Sequence, residues 1–400
     1  MSNILVFPPE IILNIVSRLP VEAVLNCRRV CRNLRSLIVF NDKYFSDMHL
    51  QQHVLHGGDV QVNSSSSLNL SFIFVGLMKN LYTLVFDDQS YEEITRINMV
   101  LPKGSWELIG SCNGLVCLAE TSDFSILNPA FVCNPITKEC VRFIKNKEEK
   151  EERKILEILS GFGYCRLKNE YKVVRIRYYG DEVIAAEGGY VAGHVQVYTL
   201  GSGGGWRDKG ETHHSFVRGS RSVYLNGVCF WLDSTGMIVA FDFASEEFQL
   251  ISPPPLLDDF NNFYSNKLCT LGGCLCIFQQ PLSISGIPGI WVLRKSEGKG
   301  QEDIWVKECP LPSIVSWELY RKNTQTAMPF AITKRDEILF KFYQSGKTIA
   351  SYDLKSATPR NNWMLDKVWN RFEAIPHVNT FVSLKALGEV VTKLAPINRF

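Results

Sequence analysis

No Cys-x-x-Cys pair occurs among the twelve cysteines of this chain, so the ligand spacing of a zinc ribbon or a thioredoxin-type redox site is missing. Most of the cysteines sit inside apolar runs such as Leu115-Val116-Cys117-Leu118 and Val228-Cys229-Phe230-Trp231, where a free thiol behaves as a small buried hydrophobe. No apolar run approaches the roughly 18 residues of a membrane span. A secretion signal is not expected either, because the first residues lack a basic flank and Pro8-Pro9 interrupts any apolar centre. A reducing cytoplasm or nucleus is therefore the expected compartment, and disulfides are not expected. An excess of one charge is also lacking: 43 Lys and Arg against 41 Asp and Glu leave a formal net charge of +2. That balance argues against a surface that coats nucleic acid. What the chain does have is apolar material, 46% hydrophobic and 12% aromatic, the composition of a folded protein.

Helical periodicity is almost confined to the first fifty residues. Ile11, Ile12, Ile15, Val16 and Leu19 recur at steps of one, three and four, the apolar pattern of a short amphipathic helix. Pro8 and Pro9 precede it, where a missing N–H costs least, and Leu19-Pro20 ends it. Val21, Val24 and Leu25 begin a second turn of helix. A third stretch sets Val30, Cys31, Leu34, Leu37 and Ile38 among Arg28, Arg29, Arg32 and Arg35. Three helices this short make a poor independent core, so they either bind a partner or pad the domain that follows.

Phe7-Pro8-Pro9-Glu10-Ile11-Ile12, Arg18-Leu19-Pro20-Val21, Val30-Cys31-Arg32, Leu37-Ile38 and Phe45 resemble, in order and spacing, the F-box. The resemblance implies a three-helix module that docks on a Skp-family adaptor, which in turn binds a cullin. It implies Phe7, Pro8, Ile11, Ile12, Leu19, Pro20, Val24, Val30, Cys31 and Leu34 as the adaptor-binding residues. The sequence departs from the usual pattern at Leu34, where tryptophan is common, and at Phe7, where leucine is usual. Both substitutions keep an apolar group.

After residue 50 the texture changes. Residues 51–67, with Gly57-Gly58 and Ser64-Ser65-Ser66-Ser67, read as a linker. From 68 to 386 the chain is a succession of short runs rich in Val, Ile, Phe and Tyr, punctuated by Gly, Asn-Gly and Asn-Pro, the reading of many short strands. Residues 387–400 form a tail. Tyr198-Thr199-Leu200-Gly201-Ser202, Phe241-Asp242-Phe243-Ala244-Ser245 and Tyr352-Asp353-Leu354-Lys355-Ser356 repeat one pattern, with weaker copies beginning at Phe86, Cys133 and Val292. A four-stranded blade needs ~40 to 50 residues, so about six blades carrying inserts is the simplest arrangement. Asn113-Gly114, Asn226-Gly227 and Gly272-Gly273 each precede an apolar run, as tight hairpins require. Residues 380–384 are expected to pair with an early strand such as residues 81–86 and close the ring. The charged run at residues 145–154 reads as a solvated insertion. The fold class expected is thus α+β, a small helical module followed by an all-β, propeller-like domain.

This second region resembles the F-box-associated domain of plant F-box proteins over most of residues 105–355. The likeness rests on Gly110-Ser111-Cys112-Asn113-Gly114-Leu115-Val116, Asn134-Pro135-Ile136-Thr137, Gly161-Phe162-Gly163-Tyr164, Asn169-Glu170-Tyr171-Lys172-Val173-Val174, and Val197-Tyr198-Thr199-Leu200 with Trp206-Arg207. Kelch-type propellers are the nearest named architecture, although the regular Gly-Gly and tryptophan spacing of kelch repeats is absent. Together the two resemblances imply a non-catalytic substrate receptor of a Skp-cullin-F-box ubiquitin ligase, with an unidentified target protein. No cofactor, metal, nucleic acid or membrane partner is expected. The competing readings are a binding module for a protein, glycan or small ligand whose F-box acts outside a cullin complex, and a propeller hydrolase.

Catalytic motifs do not rise above that background. His49, His53 and His56 share a helical spacing, yet no Cys or carboxylate joins them as a further ligand, so a solvated helix end is the simpler reading. Gly201-Ser202-Gly203-Gly204-Gly205 lacks the Gly-Lys-Ser/Thr ending of a phosphate loop. The acidic pairs Asp87-Asp88, Glu246-Glu247 and Asp258-Asp259 occupy adjacent positions, which point to opposite faces on a strand.

Overall fold

The computed structural model describes residues 7–39, 43–55, 70–75, 80–86, 93–102, 104–121, 127–143, 154–180, 192–217, 219–254, 266–279, 289–294, 303–310, 327–333, 335–342, 348–356, 358–364 and 374–393. The Gly57-Gly58 and serine stretches, His56, Asp87-Asp88, Asp258-Asp259 and all of the charged run but Lys154 lie outside them. Helices come first: α1 (Pro9–Ser17), α2 (Val21–Val30), α3 (Arg32–Leu37) and α4 (Lys43–Leu50), the last continuing into a π-helical turn at Gln51–Leu55. A fourth helix therefore joins the three expected, and helical structure runs five residues past the expected boundary.

Among the described residues, twenty-five strands follow, arranged as six antiparallel sheets. The first sheet holds β1 (Leu70–Val75), β2 (Asn80–Phe86) and β3 (Glu93–Val100). The second holds β4 (Trp106–Cys112), β5 (Leu115–Thr121), β6 (Leu127–Cys133) and β7 (Glu139–Arg142). Next come β8 (Ile155–Cys165), β9 (Glu170–Tyr179), β10 (Gly193–Thr199) and β11 (Trp206–Thr212), then β12 (Val223–Leu225), β13 (Val228–Leu232), β14 (Ile238–Asp242) and β15 (Glu247–Ile251). The last two are β16 (Asn266–Leu271), β17 (Cys274–Gln279), β18 (Gly289–Arg294) and β19 (Ile304–Pro310), and β20 (Ala327–Ile332), β21 (Glu337–Phe342), β22 (Thr348–Asp353) and β23 (Thr358–Met364). Two short C-terminal strands return to the start: β24 (Ile375–Pro376) pairs with β1, and β25 (Thr392–Lys393) pairs with β7.

These sheets are the blades of a closed six-bladed β-propeller. The first strands of successive blades touch one another, β4 with β8, β8 with β12, β12 with β16 and β16 with β20. Phe72, Phe74 and Tyr82 of the first blade share one core with Phe330, Leu339 and Ile349 of the last. Closure differs from the expected pairing of residues 380–384 with 81–86. It is made by β24, whose Ile375 and Pro376 face Ile73 and Phe72. Residues 380–384 are buried outside any strand, because they run under the helices instead. Within the expected tail, β25 adds a fifth strand to the second blade.

The repeat seen in the sequence marks one structural position. Phe86, Cys133, Tyr198, Phe241, Val292 and Tyr352 all lie on the third strand of their sheets. The polar residue beside the aromatic makes the turn that follows: Asp242 Oδ1 accepts from Ala244 N at 2.5 Å, and Asp353 Oδ1 accepts from Lys355 N at 2.8 Å. The Asn-Gly and Gly-Gly pairs link first to second strands, with φ of 48° and 82° at Asn113 and Gly114. A side chain at Gly114 would also collide with Thr380 Oγ1, only 2.0 Å from where its Cβ would stand.

Cys133 and Cys140 are joined as a disulfide, contrary to the expectation of none. They face each other in the β6–β7 register with Cα atoms 4.2 Å apart, the spacing at which an antiparallel hairpin brings side chains closest. Of the remaining cysteines, Cys112, Cys117, Cys165, Cys229, Cys269 and Cys276 are buried, and burial pushes the Cys112 thiol up to about 12. Asn134, next in that hairpin, is fully buried. Its Nδ2 donates to the carbonyls of Thr380 and Val382 at 3.1 and 2.7 Å, and its Oδ1 accepts from Ile136 N at 2.8 Å. Replacing Asn134 with alanine leaves those buried groups unpaired, so chemical denaturation should show a loss of about 2 to 4 kcal/mol.

Candidate functional site

The helical module presents two apolar stripes side by side. Ile12 and Val16 of α1 turn inward and pack with Val21, Val24, Leu34, Ile38 and Phe45. Ile11 and Ile15, one position earlier at each turn, face outward and are 46% and 54% exposed. Phe7 at 58% extends this stripe by a further four residues, and Val30 at the end of α2 is 64% exposed. Val39 and Tyr44 are exposed as well. Apolar side chains gathered on one small module, its own core already filled, form an exposed patch of the kind found at protein interaction sites.

The ten candidate contacts divide accordingly. Phe7, Pro8, Ile11, Pro20 and Val30 are exposed, and Leu19 and Cys31 are half-buried. Ile12, Val24 and Leu34 lie in the module's own core. Cys31 has a local duty too, its Sγ accepting from Leu34 N at 3.4 Å to cap α3. Ile15, Val39 and Tyr44 are outward-facing apolar residues that the candidate set omitted. Ile15 was signalled by its place one turn after Ile11, but spacing alone does not say which of two adjacent stripes faces in.

Arginines flank Val30: Arg29, Arg32 and Arg35 are exposed and Arg28 is half-buried. No carboxylate stands between Glu22 and Asp42 in the sequence. Partial burial and the nearby Arg35 charge lower the pKa of Arg28, so Arg28 and Arg35 are close enough to repel each other.

His49 and His53 do structural work. His49 Nε2 donates to Leu19 O and His53 Nε2 to Ser17 O, each at 3.1 Å, satisfying carbonyls left open at the end of α1. Burial, with His53 adding repulsion, lowers the His49 pKa to about 4, so the ring is neutral at physiological pH. Among the described residues no group of three or more His, Cys, Asp or Glu is placed to hold a metal ion, and no helix is long and apolar enough to cross a membrane. Glu246, one of the sequence's acidic pairs, is a buried structural anion. Lys172 Nζ and Arg207 Nη2 reach its Oε1 at 2.8 and 2.7 Å, and Lys209 Nζ reaches Oε2 at 3.1 Å.

Comparison with known proteins agrees with this geometry. A family model described as the F-box domain matches residues 4–46, and one described as the F-box associated beta propeller domain matches residues 70–381. The F-box protein At3g07870 of Arabidopsis thaliana is 25% identical over 408 residues, spanning 93% of this chain and 91% of that one. The F-box protein CPR1 of the same plant is 24% identical over 291 residues, spanning 68% of this chain and 65% of that one. Among solved structures, the β-propeller domain of Cps50 (Swd1) from Myceliophteria thermophila aligns over 76% of this chain and 88% of that one. Its TM-score of 0.34 and identity of 9% are too low to bear on function. An F-box implies binding to a Skp-type adaptor, and both domains are of kinds that typically bind rather than catalyse. The chain belongs to the plant F-box proteins that carry an F-box-associated β-propeller domain.

Proposed function

We propose that this chain is the substrate-recognition subunit of a Skp-cullin-F-box ubiquitin ligase, working in the cytoplasm or nucleus. The observation that carries the reading is the outward stripe of Phe7, Ile11 and Ile15, with Val30, on helices whose inward face is already filled. Burying an exposed apolar side chain contributes up to ~1.5 to 3 kcal/mol, so four such groups support firm association after orientational costs. The arginines beside Val30 suit a partner surface that carries carboxylates. Transfer chemistry belongs to other subunits; this chain contributes proximity by holding a target protein near them.

The topology supports a docking end for that target. Turns from first to second and third to fourth strands lie at one end of the propeller, where Asn113 and Asn134 meet residues 380–382 beneath the F-box. Successive turns of an antiparallel sheet alternate between ends, so among the described residues the β13–β14 turn at residues 233–237 marks the opposite rim. Target contacts belong on that rim, away from the adaptor. Purifying the tagged chain from plant cells tests the reading: a Skp-type adaptor and a cullin should both co-purify. Adaptor without cullin would favour a binding module that acts outside the ligase.

A further inference from the structure

The two domains exchange a side chain. Leu50, from the end of α4, is buried in the central propeller cluster with Ile109, Cys112, Leu115, Val382 and Leu384. Phe381, from the propeller's C-terminal segment, is fully buried in the F-box core beside Ile12, Val16, Val24 and Phe45. Its ring stands 5.8 Å from that of Phe45 and 4.8 Å edge-on to that of His49. Hydrogen bonds lock both sides of the exchange. Ser46 Oγ donates to Phe381 O at 2.7 Å, and Asn379 Nδ2 donates to Glu22 Oε1 at 2.9 Å.

The segment that delivers Phe381 is itself held across blades. Thr380 Oγ1 donates to Asn113 O at 2.7 Å, and Ser383 Oγ donates to Glu139 Oε1 at 3.1 Å, both on the second blade. On the third blade Gly201 N donates to Glu389 Oε1 at 2.7 Å. Residues 377–389 thus form a strap that starts at the ring closure, passes under the F-box and ends on the third blade. The bonds that tie it to the second and third blades join residues far apart in sequence, so the strap is anchored only when those blades have formed.

We infer that Phe381 is a positioning residue: through the strap it fixes the direction in which the propeller is held relative to the adaptor-binding face. The inference rests on the ligase reading only for the purpose of that rigidity. A receptor that presents its target at a set distance gains from a stiff joint, since proximity catalysis depends on orientation. The peg ties this geometry to completion of the propeller, because β24 immediately precedes the strap.

Small-angle scattering of the full chain, free and bound to its Skp-type adaptor, tests the joint. Phe381→Ala should raise the radius of gyration and maximum dimension in both states, while adaptor affinity stays within about threefold of wild type. Phe381→Leu should restore the compact profile. The double change Ser46→Ala and Asn379→Ala, which leaves the core filled, should shift the profile in the same direction by less. Unchanged scattering in both the Phe381→Ala and the double variant would overturn the inference. So would loss of adaptor binding in Phe381→Ala with the double variant unchanged, since Phe381 would then merely complete the helical core. If the wild-type chain binds no adaptor, the ligase reading fails instead, and scattering of the free chain still decides the joint.

Discussion

Replacing Ile11 and Ile15 together with glutamate will abolish capture of a Skp-type adaptor and leave the chain folded. Both side chains already face water, so the substitution removes nothing from the core and surface changes of this kind are nearly neutral for stability. At the interface it deletes two apolar contacts and introduces two charges that would have to be desolvated. Losing contacts worth ~1.5 kcal/mol or more each lowers affinity by about 100-fold or more. Ile12→Asp should also abolish capture, by a different route: Ile12 lies in the core with Val16 and Phe381, and a buried unpaired carboxylate unfolds the module. Circular dichroism separates the two, since helical signal persists in the first variant and falls in the second. Retained capture by the Ile11→Glu, Ile15→Glu double variant would move the docking face elsewhere.

Glu246→Ala will destabilise the propeller by about 3 to 5 kcal/mol, the usual cost of breaking a buried pair from one side. The turn between β14 and β15 places Glu246, at φ 60°, against Lys172 of β9, so the pair bolts the fourth blade to the third. Lys172 is almost wholly buried and also donates to Phe243 O at 2.9 Å. Without Glu246 its charge keeps, among the described residues, Glu170 alone, 3.1 Å away and partly exposed. Arg207 and Lys209 are more exposed and turn to solvent. Changing Lys172 and Glu246 together to methionine should therefore recover most of the loss, because no buried charge is left alone. Burial raises the Glu246 pKa, but hydrogen bonds from Arg207, Lys172 and Lys209 outweigh it and bring the value to about 2 from an ordinary 4.5. Its contribution is fully present above the unfolded value and is lost as pH falls from about 4.5 through about 2. Denaturation midpoints measured across that window should decline in wild type and flatten in the Glu246→Ala variant.

The sequence was most legible where one chemical requirement recurs. Three third strands end in the same apolar-then-polar turn pattern, because Asp242, Asp353 and Asn134 each catch backbone N–H groups at the same corner of a blade. Asn113-Gly114 was readable for a similar reason, since few residue pairs accept two positive φ values in succession. Ring closure was not readable: β24 is only two residues long, too short to show any periodicity. Phe381 was hidden because its neighbours Thr380 to Leu384 look like a strand, and only tertiary structure reveals that they serve the helices. The facing of α1 was half legible. Its two apolar stripes differ by one residue, and the core partner that selects Ile12 over Ile11 comes from the far end of the chain.

Amide hydrogen exchange on the full chain, with and without a purified Skp-type adaptor, tests the docking face most directly. Protection should appear in residues 7–17 of the stripe and around Val30, with the propeller rim opposite the F-box unchanged. Protection confined to the propeller, or none at all, would contradict the assignment of this chain as an adaptor-bound receptor.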